Sequence, residues 1–127
     1  MFNGIIFNKG KINRIEKRTK GVNLFIKSSL KVSNKNLGIS ISCDGVCLTL
    51  ISYKKKTLEF YLSNETLAKS KFRNIRIGDE INLEKPLKFG DNISGHICQG
   101  HVDTVCSLKS IKKVDKSSIL ELSLIHI

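Results

Sequence analysis

The stretch Ser40-Ile41-Ser42-Cys43-Asp44-Gly45-Val46-Cys47-Leu48-Thr49 predicts a strand, a tight turn and a returning strand. Asp44-Gly45 is a turn dipeptide, because glycine adopts positive φ without steric cost and aspartate tolerates the left-handed region. Alternation gives the returning strand two faces, one with Cys47, Thr49 and Ile51 and the other with Val46, Leu48 and Leu50. The stretch therefore predicts a β-hairpin that carries a thiol and a hydroxyl on one face.

Short runs rich in β-branched and aromatic residues recur around this hairpin. They lie at 22–27, 46–52 and 57–62, and glycine or polar residues separate them. Lys54-Lys55-Lys56 is predicted to form a hairpin tip between two of these runs, and Gly78-Asp79 and Gly90-Asp91 are further turn dipeptides. Strands at this spacing predict a small all-β barrel.

The segment 63–71 is the one with a helical pattern. Ser63 or Asn64 can cap its first turn, and Glu65 lies near the positive end of the helix dipole. The free N–H groups and short polar side chains at 64–66 can hold a carbonyl or a hydroxyl-rich ligand. The same residues can equally serve as a simple helix cap, so both interpretations stand at this stage.

The composition is that of a globular chain of single-domain size. The 127 residues are 40% hydrophobic and 26% charged, and no apolar run is long enough to span a membrane. The N-terminus has neither the basic leader nor the small-residue cleavage site of a secretory signal, so the predicted location is cytoplasmic. The 4 cysteines contain no CxxC pair and are predicted to be free thiols. Cys43 is interpreted as a small core residue, and from the residues alone Cys47 can equally be a small core residue or a thiol that takes part in the chemistry.

The net charge of +11 raises the question of a nucleic-acid partner. Most of the excess is lysine, and it accompanies abundant isoleucine and asparagine, which is expected of an A/T-rich coding sequence. A barrel that binds nucleic acid needs aromatic stacking surfaces, but only 6% of the residues are aromatic and there is no tryptophan. We therefore expect no nucleic-acid partner and no membrane partner.

The segment Gly95-His96-Ile97-Cys98-Gln99-Gly100-His101-Val102-Asp103 carries two histidines between glycines. Their spacing, with no cysteine or carboxylate at a familiar ligand interval, does not indicate a metal site. Histidine titrates near neutral pH, so His96 and His101 are candidates for proton transfer. The alternative is a glycine-rich linker with exposed histidines.

The chain also resembles itself at an offset of 96 residues, since residues 1–6 align with 97–102. Ile15 then falls on Ile111 and Leu24 on Leu120, so apolar positions keep the same face. This predicts one complete β module over 1–96 and the incomplete start of a second over 97–127. The last residues, 122–127, resemble translated adapter sequence.

Five motifs, in this order, resemble the riboflavin synthase family, whose domains bind lumazine. They are Met1-Phe2-Asn3-Gly4-Ile5-Ile6, Gly45-Val46-Cys47-Leu48-Thr49, Glu65-Thr66-Leu67, Gly78-Asp79-Glu80-Ile81-Asn82-Leu83-Glu84 and the histidine segment 95–103. The resemblance covers residues 1–108 and implies a six-stranded Greek-key closed barrel with a short helix, followed by the truncated start of a second barrel. It independently implies the internal repeat, because the family is built from two similar barrels.

The family dismutates two molecules of 6,7-dimethyl-8-ribityllumazine to riboflavin and 5-amino-6-(ribitylamino)uracil, and it uses no metal and no organic cofactor. The resemblance thus implies a transferase of riboflavin biosynthesis that binds this lumazine and riboflavin. It also implies a homotrimer in which the N-terminal barrel of one subunit faces the C-terminal barrel of its neighbour, with a dimer as the alternative for a single barrel. A single barrel is expected to have little activity. The alternative function is a non-catalytic lumazine or flavin carrier on the same fold.

The resemblance assigns the site residues motif by motif. The candidates for proton transfer or for activating a nucleophile are Ser40, Cys47, His96 and His101. The candidates for substrate binding are Phe2, Gly4, Ile5, Ile6, Val46, Cys47, Leu48, Thr49, Tyr61, Leu62, Ser63, Asn64, Glu65, Thr66, Gly100, His101 and Val102. Three positions depart from the family pattern without removing a reactive group, namely Asn3, Asp44 and Ser94.

Overall fold

The computed structural model describes residues 1–124, and residues 125–127, the end of the predicted second module, lie outside the described residues. The strands are β1 (Asn8–Arg18), β2 (Gly21–Ser28), β3 (Ser40–Cys43), β4 (Val46–Lys54), β5 (Thr57–Ser63), β6 (Glu80–Glu84), β7 (Cys106–Val114) and β8 (Ser117–Leu124). A short helix, α1 (Asn64–Ala68), follows β5, and 3-10 turns lie at Asn34–Asn36 and Lys71–Asn74. No helix within residues 1–124 is long and apolar enough to cross a membrane.

Strands β1 to β6 close into a barrel in the order β1-β2-β5-β4-β3-β6, and β6 pairs back to β1. All these pairs are antiparallel. β3, β4 and β5 follow one another as hairpins, and β6 returns beside β3, which is the Greek-key arrangement. The predicted six-stranded Greek-key barrel with a short helix is therefore confirmed, as are the strands predicted at 22–27, 46–52 and 57–62.

The barrel interior is filled by apolar side chains from alternate strand positions. On β4 the residues Val46, Leu48 and Leu50 are buried, whereas Cys47, Thr49 and Ile51 face outward, so the predicted alternation between two faces is confirmed. Phe60 and its neighbours on β5, Leu58 and Leu62, are fully buried as well. Because each large apolar side chain that leaves water contributes about 1.5–3 kcal/mol, this interior is what holds the outward face of β4 in place.

The predicted turns have the backbone conformations that their residues favour. Gly45, Gly78 and Gly90 have φ values of 85°, 98° and 92°. Lys55 and Lys56 form the tip between β4 and β5 with φ values of 48° and 62°. Two consecutive positive φ angles are typical of a two-residue hairpin turn, so the predicted hairpin tip is confirmed.

Helix α1 begins at the predicted cap but ends earlier than the pattern indicates. The Ser63 Oγ accepts a hydrogen bond from the Thr66 N–H at 3.1 Å. The Ser70 hydroxyl donates to the Thr66 carbonyl at 2.6 Å and accepts from the Phe72 N–H at 3.3 Å. The Ser70 side chain thus bonds to the Thr66 carbonyl and caps the 3-10 turn that follows. The helix therefore ends at Ala68, and Phe72 in the 3-10 turn is buried in the core.

The N-terminal residues lie antiparallel to the segment that follows β6. The Phe2 N–H donates to the Cys98 carbonyl at 2.8 Å, and the Cys98 N–H donates back to the Phe2 carbonyl at 2.9 Å. The His96 N–H donates to the Asn3 carbonyl at 3.0 Å. This pairing holds the histidine segment against the barrel.

Strands β7 and β8 repeat the geometry of β1 and β2 at the offset found in the sequence. The β1–β2 register shifts between Ile12 and Arg14, and the β7–β8 register shifts between Leu108 and Ser110. Among the described residues, the β7–β8 hairpin contacts no other named strand or helix. It therefore leaves apolar side chains exposed, such as Leu120 at 57%, whereas the corresponding Leu24 is at 0%.

We expect amide hydrogen exchange to separate the barrel from the β7–β8 hairpin. Strands of the closed barrel open only with the core, whereas an isolated two-stranded hairpin is marginally stable in water. Mass spectrometry of the exchanging chain should therefore show strong protection in β2, β4 and β5 and weak protection in β7 and β8. Equal protection of the hairpin and the barrel would contradict the division into a complete and an incomplete module.

Candidate functional site

A cavity of about 220 Å³ lies where β4 and α1 meet the segment 100–102. It is lined by Val46, Cys47, Glu65, Thr66, Lys69, Ser70, Gly100, His101 and Val102. Pockets that enclose a whole small molecule are usually larger, from about 300 Å³ upward. This barrel therefore offers a partly open site, in which a thiol, an imidazole, a carboxylate and a hydroxyl surround one space.

Val46 and Cys47, at the start of β4 in the β3–β4 hairpin, form one wall of this cavity. Ser42 lies opposite Cys47, and the next pair on the same face is Ser40 opposite Thr49. The Cys47 N–H, at the start of β4, donates to the Gly100 carbonyl at 2.7 Å. This bond brings the histidine segment over the hairpin, so that Cys47 and His101 line the same cavity.

The start of α1 forms the opposite wall. The Ser63 and Thr66 hydroxyls lie 3.1 Å apart, and the Lys69 ammonium donates to the Glu65 carboxylate at 2.8 Å. This hydrogen bond, together with the charge attraction, lowers the pKa of Glu65 and raises the pKa of Lys69. At neutral pH Glu65 is therefore a carboxylate, a group that can accept hydrogen bonds from N–H or O–H donors.

The two cysteines of the hairpin have different surroundings. Cys43 is fully buried, which confirms its interpretation as a core residue. Burial raises the pKa of the Cys43 thiol well above its ordinary value, and the Asp44 carboxylate adds to this rise. Cys47 is half-buried and faces outward. Cys47 is therefore the thiol of this hairpin that a ligand can contact.

All four cysteines are free. Within the described range 1–124, no three or more side chains of His, Cys, Asp and Glu come together in a group that could hold a metal ion.

The structure brings together seven of the residues that the resemblance assigns to the site. They are Val46, Cys47, Glu65, Thr66, Gly100, His101 and Val102. The other assigned residues do not line this cavity, namely Phe2, Gly4, Ile5, Ile6, Ser40, Leu48, Thr49, Tyr61, Leu62, Ser63, Asn64 and His96. Their roles stay predictions.

Several of these other residues have structural partners. Phe2, Leu48 and Leu62 are buried. The Tyr61 hydroxyl donates to the Lys20 carbonyl at 2.7 Å, outside the cavity. His96 is exposed and holds the Asn3 carbonyl through its backbone N–H. Of the two predicted histidines, His101 is therefore the one that lies at the cavity.

Two lining residues, Lys69 and Ser70, were not predicted from the sequence. Lys69 is four residues after Glu65, and Ser70 is four residues after Thr66. Residues at this spacing lie on the same face of a helix. This spacing is the signal in the sequence that could have identified both residues.

We expect Gly100→Ala to weaken ligand binding at this cavity about tenfold or more. Gly100 has a φ of 79°, and a Cβ there would lie 2.9 Å from the Cys47 Cβ and 3.0 Å from the Cys47 nitrogen. Because both contacts are too short, the segment 100–102 has to move away from β4. Isothermal titration of the variant with 6,7-dimethyl-8-ribityllumazine, the ligand that the motif resemblance implies, measures the effect.

Gly90→Ala is the matched control for this substitution. Gly90 has a φ of 92°, but a Cβ there meets nothing within 4 Å. The substitution Gly90→Ala therefore imposes a similar backbone strain, of order 1–2 kcal/mol, at a position away from the cavity. An equal loss of affinity in both variants would show that strain, and not the placement of residues 100–102, causes the effect.

The fold and the site together define a class of protein, a closed Greek-key barrel with a partly open cavity that is lined by polar and apolar side chains. Residues 3–86 match the family described as "Lumazine binding domain". The chain belongs to this family, which confirms the resemblance of its motifs.

Curated relatives of the chain are riboflavin synthases. The enzyme of Chlamydia pneumoniae is 40% identical over 114 residues, which cover 89% of this chain and 57% of the relative. That of Brucella abortus (strain 2308) is 38% identical over 108 residues, which cover 81% of this chain and 54% of the relative. The chain thus spans about half the length of the curated relatives that it matches.

Solved structures of LumP share the fold. LumP complexed with 6,7-dimethyl-8-(1'-D-ribityl) lumazine matches with a TM-score of 0.74 and 20% identity, covering 98% of this chain and 69% of LumP. LumP complexed with riboflavin matches with a TM-score of 0.71 and 22% identity, covering 91% of this chain and 62% of LumP. At these identities the likeness establishes the barrel fold alone.

Proposed function

We propose that this chain is the N-terminal lumazine-binding barrel, with the start of the second barrel, of a riboflavin synthase. The observation that carries the proposal is that Cys47, Glu65, Thr66 and His101, which come from three separate motifs, line one cavity. The identity of 40% to a riboflavin synthase supports it. The substrate is then 6,7-dimethyl-8-ribityllumazine and the product is riboflavin.

The cavity suits such a ligand because its walls differ in polarity. Val46 and Val102 supply apolar contacts for a heteroaromatic ring. Glu65 and Thr66 supply an acceptor and a hydroxyl for the polar ring edge or the ribityl chain. LumP, on the same fold, is complexed with this lumazine and with riboflavin in its solved structures.

The proposed reaction moves a four-carbon unit from one lumazine to another. Two ligands held face to face react through proximity and proton transfer, without metal or organic cofactor. His101 is the proposed proton carrier, because it lines the cavity and imidazole is the side chain that most often transfers protons in enzymes. Cys47 and Ser40 are the candidates for activating the nucleophile, and His96 is the second candidate for proton transfer.

Two barrels are needed for this reaction, and the repeated hairpins support a second one. The strand register and the bulge of β1–β2 recur in β7–β8 at the offset of 96 residues. We infer that residues 1–96 form one module and 97–127 begin another. Assembly as a homotrimer, or as a dimer of single barrels, and a cytoplasmic location are parts of the same proposal.

The alternative is a lumazine or flavin carrier without turnover. It is favoured by the fold likeness to LumP, which is complexed with riboflavin and flavin mononucleotide in solved structures. The presence of both Cys47 and His101 at the cavity favours the enzyme. Formation of riboflavin by the two-barrel protein distinguishes the two functions.

We expect the chain to bind 6,7-dimethyl-8-ribityllumazine or riboflavin at one site per barrel, with or without a chelator. The reason is that the cavity offers hydrogen bonds and apolar contacts that need no metal. Fluorescence titration with and without EDTA measures this binding. Lack of binding at tens of micromolar ligand, or its loss on chelation, would contradict the proposed function.

A further inference from the structure

A buried carboxylate lies at the end of β6, outside the cavity. Glu84 is 6% exposed, and its Oε1 accepts a hydrogen bond from the Asn3 N–H at 2.6 Å. Its Oε2 accepts from the Gly4 N–H at 3.1 Å. None of the salt bridges within residues 1–124 includes Glu84. A buried carboxylate needs such charge-assisted hydrogen bonds, so Glu84 holds these two consecutive amides firmly.

The two amides belong to the N-terminal residues that pair with the histidine segment 95–103. Asn3 accepts from the His96 N–H, and its neighbour Phe2 exchanges two hydrogen bonds with Cys98. The approach is close, because a Cβ on Gly95 would lie 2.3 Å from the Asn3 carbonyl oxygen. A shift of residues 2–4 therefore moves residues 95–98.

Residues 95–98 lead directly to the cavity. Two residues after Cys98, the Gly100 carbonyl accepts the Cys47 N–H, and residues 100–102 line the cavity. A continuous series of contacts thus runs from Glu84 through residues 2–4 and 95–98 to His101. Glu84 itself does not line the cavity with Cys47 and His101.

We propose that Glu84 is a positioning residue for the ligand site. Its carboxylate fixes residues 3 and 4, which hold the segment 95–102 so that His101 faces Cys47 across the cavity. The inference rests on the proposed function for the identity of the ligand. It adds a residue that acts on the site without touching the ligand.

Glu84→Gln tests this role with little change of shape. The carbonyl oxygen of the glutamine can accept a hydrogen bond from one backbone N–H. Its NH₂ group is a donor, so the other backbone N–H loses its acceptor. We expect the affinity for 6,7-dimethyl-8-ribityllumazine to fall about tenfold, and the amides of residues 96–102 to exchange faster. The affinity is measured by fluorescence titration and the exchange by mass spectrometry, well below the melting temperature of the variant.

Glu80→Gln is the matched control on the same strand. Glu80 is exposed and pairs with Lys9 at 3.3 Å on the surface. Its substitution should leave both the affinity and the exchange of residues 96–102 unchanged. If Glu84→Gln lowers only the melting temperature and leaves the affinity and this exchange as in the parent chain, Glu84 supports stability alone and the proposal is wrong.

A measurement on the unsubstituted chain covers the case in which Glu84→Gln does not fold. Adding the lumazine should then protect the amides of Asn3 and Gly4 together with those of residues 96–102. Protection of 96–102 without any change at residues 3 and 4 would overturn the proposal. If the unsubstituted chain binds no lumazine, the proposed function fails, whereas faster exchange of 96–102 in Glu84→Gln still supports the positioning role.

Discussion

Residues 1–127 alone are expected to bind lumazine but to form riboflavin at least about a hundredfold more slowly than a two-barrel protein. The proposed reaction joins two lumazines that are each held by a barrel, and the described residues form one closed barrel. Two copies could pair their barrels, but a misplacement of about 1 Å between reacting groups costs on the order of a hundredfold in rate. Riboflavin formation under saturating lumazine measures the turnover number.

The comparison protein is this chain continued by the C-terminal region of the Chlamydia pneumoniae relative, of which the match covers 57%. Both proteins should bind lumazine with similar affinity at the first barrel, which serves as the internal control. Equal turnover by the single barrel and the two-barrel protein would show that the second barrel is not required. Binding by both proteins without any turnover would favour the carrier.

In the two-barrel protein, we expect His101→Gln and Cys47→Ser to lower kcat about a hundredfold while the dissociation constant of lumazine changes less than tenfold. Proton transfer by a positioned side chain contributes about 10²–10⁴ in rate. Both substitutions keep a polar group of similar size in the cavity, so most binding contacts remain. A loss in kcat with little loss in affinity indicates an interaction made in the transition state.

Cys106→Ser is the control for the thiol substitution. Cys106 is an exposed cysteine at the start of β7 and does not line the cavity. Its substitution should leave both kcat and affinity unchanged. Full turnover in both His101→Gln and Cys47→Ser would assign these two residues a structural role.

The parts of the fold that depend on local pattern were predicted from the sequence. The hairpin 40–49, the turn glycines and the cap at Ser63 each follow from a few neighbouring residues. Strand β1 was not among the predicted strands, because only Gly10 and Ile12 of its eleven residues are fully buried. The bulge between Ile12 and Arg14 also places the next apolar residue, Ile15, out of simple alternation.

The candidate site was predicted in part. Motif resemblance identified Cys47, Glu65, Thr66 and His101, but it also included buried residues such as Leu62. A motif records which residues occur near the site in the chain, and it does not separate side chains that face the cavity from those that face the core. Lys69 was missed because its role follows from the helix face that it shares with Glu65.

The sequence by itself determined the hairpin 40–49, the strands at 22–27 and 57–62, the turns, and that Cys47 shares one face of β4 with Thr49. These features follow from backbone periodicity and from residues that favour positive φ, which act over a few positions. Only the tertiary structure decided that Gly100 meets Cys47 and that Glu84 holds Asn3 and Gly4. Such contacts join residues far apart in the chain, and closure of the barrel brings them together, so no local pattern contains them.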